Sequence, residues 1–175
     1  MIDWFLKLHH VCPHGHLSIL QGFAAAMPAC IDEAALTTPL RQAYFLSQTC
    51  EESAGLQTTV EYGSGHEYEG RHDLGNTHPG DGPLFKGRGL IQLTGRANYA
   101  LYGHILGVDL IANPQLAADF PLAARTAALY WKTRNINVHA DANDIVRVTE
   151  SVNGGVNGLA SRKQYLTLAK QVLGI

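Results

Sequence analysis

Between residues 63 and 89 a glycine recurs at every second or fifth position, at Gly63, Gly65, Gly70, Gly75, Gly80, Gly82, Gly87 and Gly89. Each glycine weakens a helix or strand interior by roughly 0.5–1 kcal/mol, so no long regular element can persist there. Turns, loops and short strands are expected instead. Thr58-Thr59-Val60-Glu61-Tyr62 is the one convincing strand-like run, with room for a second short strand after it. The flanks behave differently, because apolar residues recur at helical spacing on both sides. The chain therefore reads as mainly α, with a small β and loop insertion after a central helix.

That central helix begins at Thr38-Pro39, with Thr38 as N-cap and Pro39 at the first helical position. On a 3.6-residue wheel Ala43, Leu46, Cys50 and Ala54 centre an apolar stripe edged by Phe45, Thr49 and Leu56. Glu52 falls beside that edge, whereas Glu51 falls with Tyr44, Gln48 and Gly55 on the more polar side. A general acid working near neutrality needs a carboxyl set against apolar walls. Glu52 meets that description, and Glu51 reads as a surface residue.

The other helices follow in order. Leu17 to Met27 reads as a short helix ending at Pro28. Beyond Thr94, a segment carrying Tyr99, Tyr102, Ile105 and Leu106 ends at Gly107, and Asn113-Pro114 breaks the chain. Pro121 opens a helix bearing Ala124, Ala127, Ala128 and Trp131. Asp141 or Asn143 caps the next, which Asn153-Gly154-Gly155 stops, and the last starts near Ser161. At 175 residues the chain suits one well-buried domain. Its parts are an N-terminal helical segment (1–36), a central helix with a β/loop lobe (37–94) and a helical lobe (95–175).

Composition excludes several classes. With 46% hydrophobic and 16% charged residues and a net charge of −2, the chain is globular, and no Lys/Arg run marks it for nucleic acid. No segment is long and apolar enough to insert in a membrane. The N-terminus lacks a signal-peptide pattern, so synthesis in the cytoplasm is expected. Cys12, Cys30 and Cys50 read as free buried thiols, which suits that compartment. His9, His10, His14 and His16 surround Cys12, but their spacing matches no zinc pattern, so no metal and no cofactor is expected.

Cleavage of a glycosidic bond needs two carboxyls, one to protonate the leaving oxygen and one to attack or to activate water. If the chain returns past the end of the central helix, Glu61 faces Glu52 across a groove, and Glu69 reaches the same place from the loop. Lys86-Gly87-Arg88-Gly89 has neither Walker nor G-x-G-x-x-G spacing, which argues against a phosphate loop. Instead its glycines let the backbone approach a substrate while Gln92 and Thr94 point into the groove. A Ser-His-Asp hydrolase lacks its nucleophile elbow here.

Three strings carry a resemblance: residues 45–55 around Glu52; Gly80-Asp81-Gly82 with Phe85-Lys86-Gly87-Arg88-Gly89-Leu90-Ile91-Gln92-Leu93-Thr94-Gly95-Arg96-Ala97-Asn98-Tyr99; and Val148-Thr149 with Val152-Asn153-Gly154-Gly155-Val156-Asn157-Gly158. Over about residues 40 to 170 the chain resembles glycoside hydrolase family nineteen, which holds plant-type chitinases and many bacteriophage endolysins. The resemblance implies a lysozyme-like fold and an inverting reaction, with Glu52 as general acid, Glu61 as base and Thr94 holding the water. Gln92, Tyr68, Glu69, Arg88, Asn98, Asn153 and Arg162 are the expected substrate-binding residues, with Glu69 as the alternative base. In an inverting family the carboxyls should stand roughly 6.5–9.5 Å apart. Two positions depart from the pattern: Glu51 replaces the usual histidine before the acid, and Asn157 replaces a glutamate of the plant members. Compact size favours the endolysin branch. The implied partner is peptidoglycan or, alternatively, chitin, and the implied protein is a monomer that reaches the wall by release or delivery. A catalytically degenerate wall-binding module is the remaining reading.

Overall fold

The computed structural model describes residues 3–175. Met1 and Ile2, at the head of the stretch read for a signal peptide, lie outside them. Nine α-helices occur among the described residues: α1 (Trp4–Val11), α2 (Leu17–Glu33), α3 (Pro39–Glu52), α4 (Asp81–Leu84), α5 (Arg96–Leu106), α6 (Leu122–Thr133), α7 (Asn137–Asp141), α8 (Ile145–Asn153) and α9 (Leu159–Leu173). The fold is the expected mainly helical one. No helix is long and apolar enough to cross a membrane among these residues.

The helix that carries the two glutamates is the core of the molecule. Thr38 caps it by accepting from the Arg41 N–H at 3.2 Å, and Pro39 occupies the first helical position. Every residue from Ala43 to Cys50 is buried, polar ones included. Ser47 and Thr49 are tolerated there because their hydroxyls donate to the Tyr44 and Phe45 carbonyls at 2.8 and 2.9 Å. Phe45 meets Phe23 of α2 and Trp131 of α6 edge-on, with centroids 6.2 and 5.4 Å away. Burying such rings contributes on the order of 2–3 kcal/mol each. The expected polar side of α3 is therefore covered as fully as the apolar one, since α9 packs along it. A helix surrounded by others has no solvent face for an amphipathic wheel to mark.

Two further expectations give way to tertiary packing. Helix α2 does not end at Pro28 but runs through it to Glu33, with Phe23, Met27 and Cys30 buried on one face. Continuous burial of that face outweighs the backbone bond that proline lacks. The cap of α8 is Asp144, whose carboxylate accepts from Val146 and Arg147 N–H at 3.1 and 3.0 Å. Asp141 instead pairs with Arg41, and Asn143 accepts from Tyr44 and Lys170. Gly107 and Gly154 end α5 and α8 in left-handed conformation, as their positions suggested.

The glycine-rich stretch forms no strand among the described residues. Its extended pairing is reduced to two antiparallel bridges, Val60 with Arg88 and Arg88 with Leu93. Two 3₁₀ turns, His66–Tyr68 and His72–Leu74, and α4 fill the rest. Long-range polar contacts hold it. Buried Asp81 accepts from Arg96 at 2.6 and 2.9 Å and from the N–H groups of Thr77 and His78. The Arg96 guanidinium holds the Asp81 carboxyl well below the usual carboxylate range. Buried Asn76 bonds the Tyr68 carbonyl at 2.9 Å and the Arg96 N–H at 2.8 Å. A small second core, including Phe85, Leu93, Tyr99 and Tyr102, lies beneath this lobe, and Tyr130 packs against both cores.

Candidate active site

Where the two cores meet, a cleft of about 130 Å³ is lined by Leu74, Gln92, Leu93, Thr94, Asn98, Tyr102, Tyr130 and Arg134. The sequence placed Gln92, Thr94 and Asn98 here. It missed Tyr130 and Arg134, whose only signal is an aromatic and an arginine four residues apart, the first in the last turn of α6 and the second its C-cap.

The first expected carboxylate lies on α3. Glu52 ends that helix, and its side chain is 18% exposed. Its surroundings are not the apolar ones the wheel implied. Arg162, itself buried on α9, donates to Glu52 Oε1 and to Gln48 Oε1 at 2.5 Å each, and its Nε donates to the Asn157 carbonyl at 3.1 Å. A wheel drawn on α3 alone cannot show a guanidinium supplied from the next helix. Burial raises the Tyr130 phenol above its ordinary value, Arg134 opposes this, and the charge of Glu52 adds to it. The charge of Glu52 is thus felt at Tyr130, which lines the cleft. Glu51 is no free surface residue either: it is half-buried, and a methyl on Gly158 would collide with its Oε1. Gly158 has φ 71° and precedes α9, so the Glu51 carboxylate sits by a helix N-terminus, where the dipole favours an anion.

Glu61 and its neighbours belong to the glycine-rich lobe, which supplies Gln92 and Thr94 to the cleft. The Glu61 N–H donates to the Gly87 carbonyl at 3.0 Å, which fixes the Glu61 backbone beside the Lys86-Gly87-Arg88 run. Tyr68 donates its hydroxyl to Glu61 Oε2 at 3.0 Å, and burial with that contact pushes the Tyr68 phenol up to about 12. Glu61 Oε1 and Gln92 Oε1 are buried acceptors with no donor from the protein. Gly87 is where these side chains converge: a methyl there would lie 2.6 Å from Gln92 Oε1 and 2.8 Å from Glu61 Oε2. Gln92 has φ 53°, a left-handed conformation that costs a non-glycine residue of order 1 kcal/mol, and its Nε2 donates to the Gly89 carbonyl. Thr94 donates its hydroxyl to the Gln92 carbonyl at 2.9 Å, and Asn98 donates to the Thr94 carbonyl at 2.7 Å.

Other expected residues are occupied with the fold. Both oxygens of Glu69 accept backbone N–H groups, from Gly80 at 2.7 Å and Gly82 at 2.8 Å, so this carboxylate clamps the start of α4. Arg88 donates to the Leu84 carbonyl and the Tyr99 hydroxyl at 2.9 and 2.8 Å, bracing the lobe from within. Asn153 is exposed at the end of α8. The three thiols are free and buried, and burial pushes Cys30 up to about 12. His9, His10, His14 and His16 are all exposed, and no three His, Cys, Asp or Glu side chains gather around a metal-sized space among the described residues.

A family model described as chitinase class I, glycoside hydrolase family 19, matches residues 18–155. A Haemophilus influenzae protein described as a glycosyl hydrolase family 19 domain-containing protein is 31% identical over an alignment of 195 positions, covering 93% of this chain and 94% of its own length. Chitinase 11 of Oryza sativa subsp. japonica is 40% identical over 92 positions, which are 52% of this chain but 35% of the rice protein. The crystal structure of chitinase C from Streptomyces griseus superimposes with a TM-score of 0.72 at 25% identity, over 99% of this chain and 78% of that one.

Proposed function

The chain belongs to glycoside hydrolase family 19, and from that premise we propose that it is an endolysin-type hydrolase of peptidoglycan β-1,4 links, working by a single inverting displacement. Glu52 is the general acid. It gives a proton to the glycosidic oxygen as the bond to the leaving sugar breaks, while Arg162 holds Oε1 and keeps the carboxyl in place. Glu61 is the base. It takes a proton from a water that attacks the anomeric carbon from the other face, and that water must fit between carboxyls roughly 6.5–9.5 Å apart. The observation that supports the assignment is that the Glu61 and Gln92 side chains converge at Gly87, through Glu61 Oε2 and Gln92 Oε1, and that each side chain keeps one buried acceptor without a protein donor, Glu61 Oε1 and Gln92 Oε1. Each is free to accept a proton from water, and buried acceptors of this kind are otherwise costly.

What supports peptidoglycan over chitin is the resemblance of Glu61 to the second glutamate of the endolysin branch, together with the compact size of the chain. The protein then acts as a monomer, reaching the wall after release or delivery. Chitin hydrolysis is the second reading, favoured by the solved Streptomyces griseus chitinase that aligns with nearly the whole chain. Purified sacculi and soluble chitin oligosaccharides, offered separately, decide between them. Release of new reducing ends from sacculi supports the proposal, and turnover of chitin oligosaccharides alone supports the second reading.

A further inference from the structure

Six of the chain's eight arginines pair with a carboxylate, and a seventh, Arg88, donates to Tyr99 and the Leu84 carbonyl. Arg134 is the one left without an acid partner among the described residues, and it lies in the wall of the cleft that holds Gln92 and Thr94. Its guanidinium carbon sits 3.7 Å over the Tyr130 ring. Tyr130 is itself fixed, since its hydroxyl donates to the Val152 carbonyl at 3.0 Å. Stacking covers one face of the guanidinium and restricts its rotamers, but leaves the N–H edge, which is the part that grips a planar anion in two parallel bonds. A cation held in this way beside a substrate groove is set up for a carboxylate that the protein does not itself supply.

The two polysaccharides considered above differ in that respect. Chitin is uncharged, whereas the peptidoglycan strand carries carboxylates on its stem peptides, or on the lactyl ether once the peptide is removed. We propose that Arg134 is a specificity residue that pairs with a carboxylate of the peptidoglycan strand and so selects that strand over chitin. The inference rests on the peptidoglycan reading and names the contact that distinguishes the two substrates.

The test compares wild type, Arg134→Gln, Arg134→Lys and, as a control for lost charge, Lys132→Gln, an exposed residue two positions away. Each is assayed on intact peptidoglycan, on peptide-stripped glycan and on neutral chitin oligosaccharide, at low and high salt. For Arg134→Gln the ratio of kcat/KM on peptidoglycan to that on chitin oligosaccharide falls about tenfold, through KM, which corresponds to about 1.4 kcal/mol. Its KM on peptidoglycan also loses much of the salt dependence seen in wild type. Arg134→Lys recovers part of the ratio, because it keeps the charge without the planar fork, and Lys132→Gln leaves the ratio unmoved. A defect on intact strands assigns a stem-peptide carboxylate, since the lactyl carboxyl is tied up there as an amide, and one seen only on stripped glycan assigns the freed lactyl carboxylate. A proportional loss on all three substrates, or an unchanged ratio and salt dependence, overturns the inference while leaving the peptidoglycan reading standing. A wild type that turns over chitin oligosaccharide but neither form of peptidoglycan overturns that reading, and the inference with it.

Discussion

Replacing Gly87 by alanine separates the site from the fold. Gly87 needs no glycine-only backbone conformation, since it is not among the residues of positive φ, so an alanine there strains nothing locally. What its methyl meets is the site: Gln92 Oε1 at 2.6 Å and Glu61 Oε2 at 2.8 Å. To reach an ordinary contact of 3.4 Å, Gln92 Oε1 must retreat by about 0.8 Å and Glu61 Oε2 by about 0.6 Å. Both are the ends of flexible side chains, so the cost to stability is small, about 1 kcal/mol or less. Displacement of reacting groups by nearly an ångström costs on the order of 100-fold in rate, or about 2.7 kcal/mol of barrier. The assay is release of reducing ends from the wild-type substrate alongside thermal unfolding. A well-folded Gly87→Ala protein with near wild-type kcat would refute the convergence of Glu61 and Gln92 as the seat of the chemistry.

The remaining predictions test single assignments. Glu61→Gln should lower kcat by 10²–10⁴-fold, as expected for loss of a general base, whereas Glu69→Gln should keep most activity and lose about 1 kcal/mol of stability, measured by denaturant unfolding. Asp81→Asn should destabilise by roughly 3 kcal/mol, because it leaves Arg96 without its partner. The sign with pH follows from the Asp81 carboxyl being held low in the folded state. Its contribution is complete above the unfolded value of about 3.9 and is lost as pH falls below it, so acid unfolding of wild type should be steeper than that of Asp81→Asn. At the other extreme, burial pushes the phenols of Tyr44, Tyr68, Tyr99 and Tyr165 up to about 12. Stability from these raised groups is complete below pH of about 10 and is lost as pH climbs toward 12; ultraviolet titration should find them ionising late, together with alkaline unfolding.

Most of the helical frame was legible in the residues because helix ends are local chemistry. Thr38-Pro39, Gly107 and Gly154 act through their own caps, and the structure agrees with them. What depends on partners distant in sequence was not. Pro28 reads as a stop until the buried face of α2 is seen to continue past it. Glu51 and Glu52 look distinguished by the faces of α3, yet what distinguishes them is α9, through Gly158 for one and Arg162 for the other. In the glycine-rich lobe Glu69 looks like a groove residue, but it binds backbone amides, and with Asn76 and Asp81, which hold backbone groups and Arg96, it shapes the loop itself. Such contacts leave no periodicity for a pattern to detect. The acceptors at Gly87 and the stacked Arg134 escape for the same reason, since each joins segments that the sequence keeps apart.

Glu52 carries the central assignment, and mass spectrometry of the products from purified peptidoglycan, with wild type and Glu52→Gln side by side, tests it. The predicted result is saccharide fragments ending in intact reducing sugars from wild type, and almost none from a Glu52→Gln protein with an unchanged circular-dichroism spectrum. Substantial product from the variant, or anhydro-sugar ends from wild type, would contradict the acid role and the hydrolytic displacement respectively.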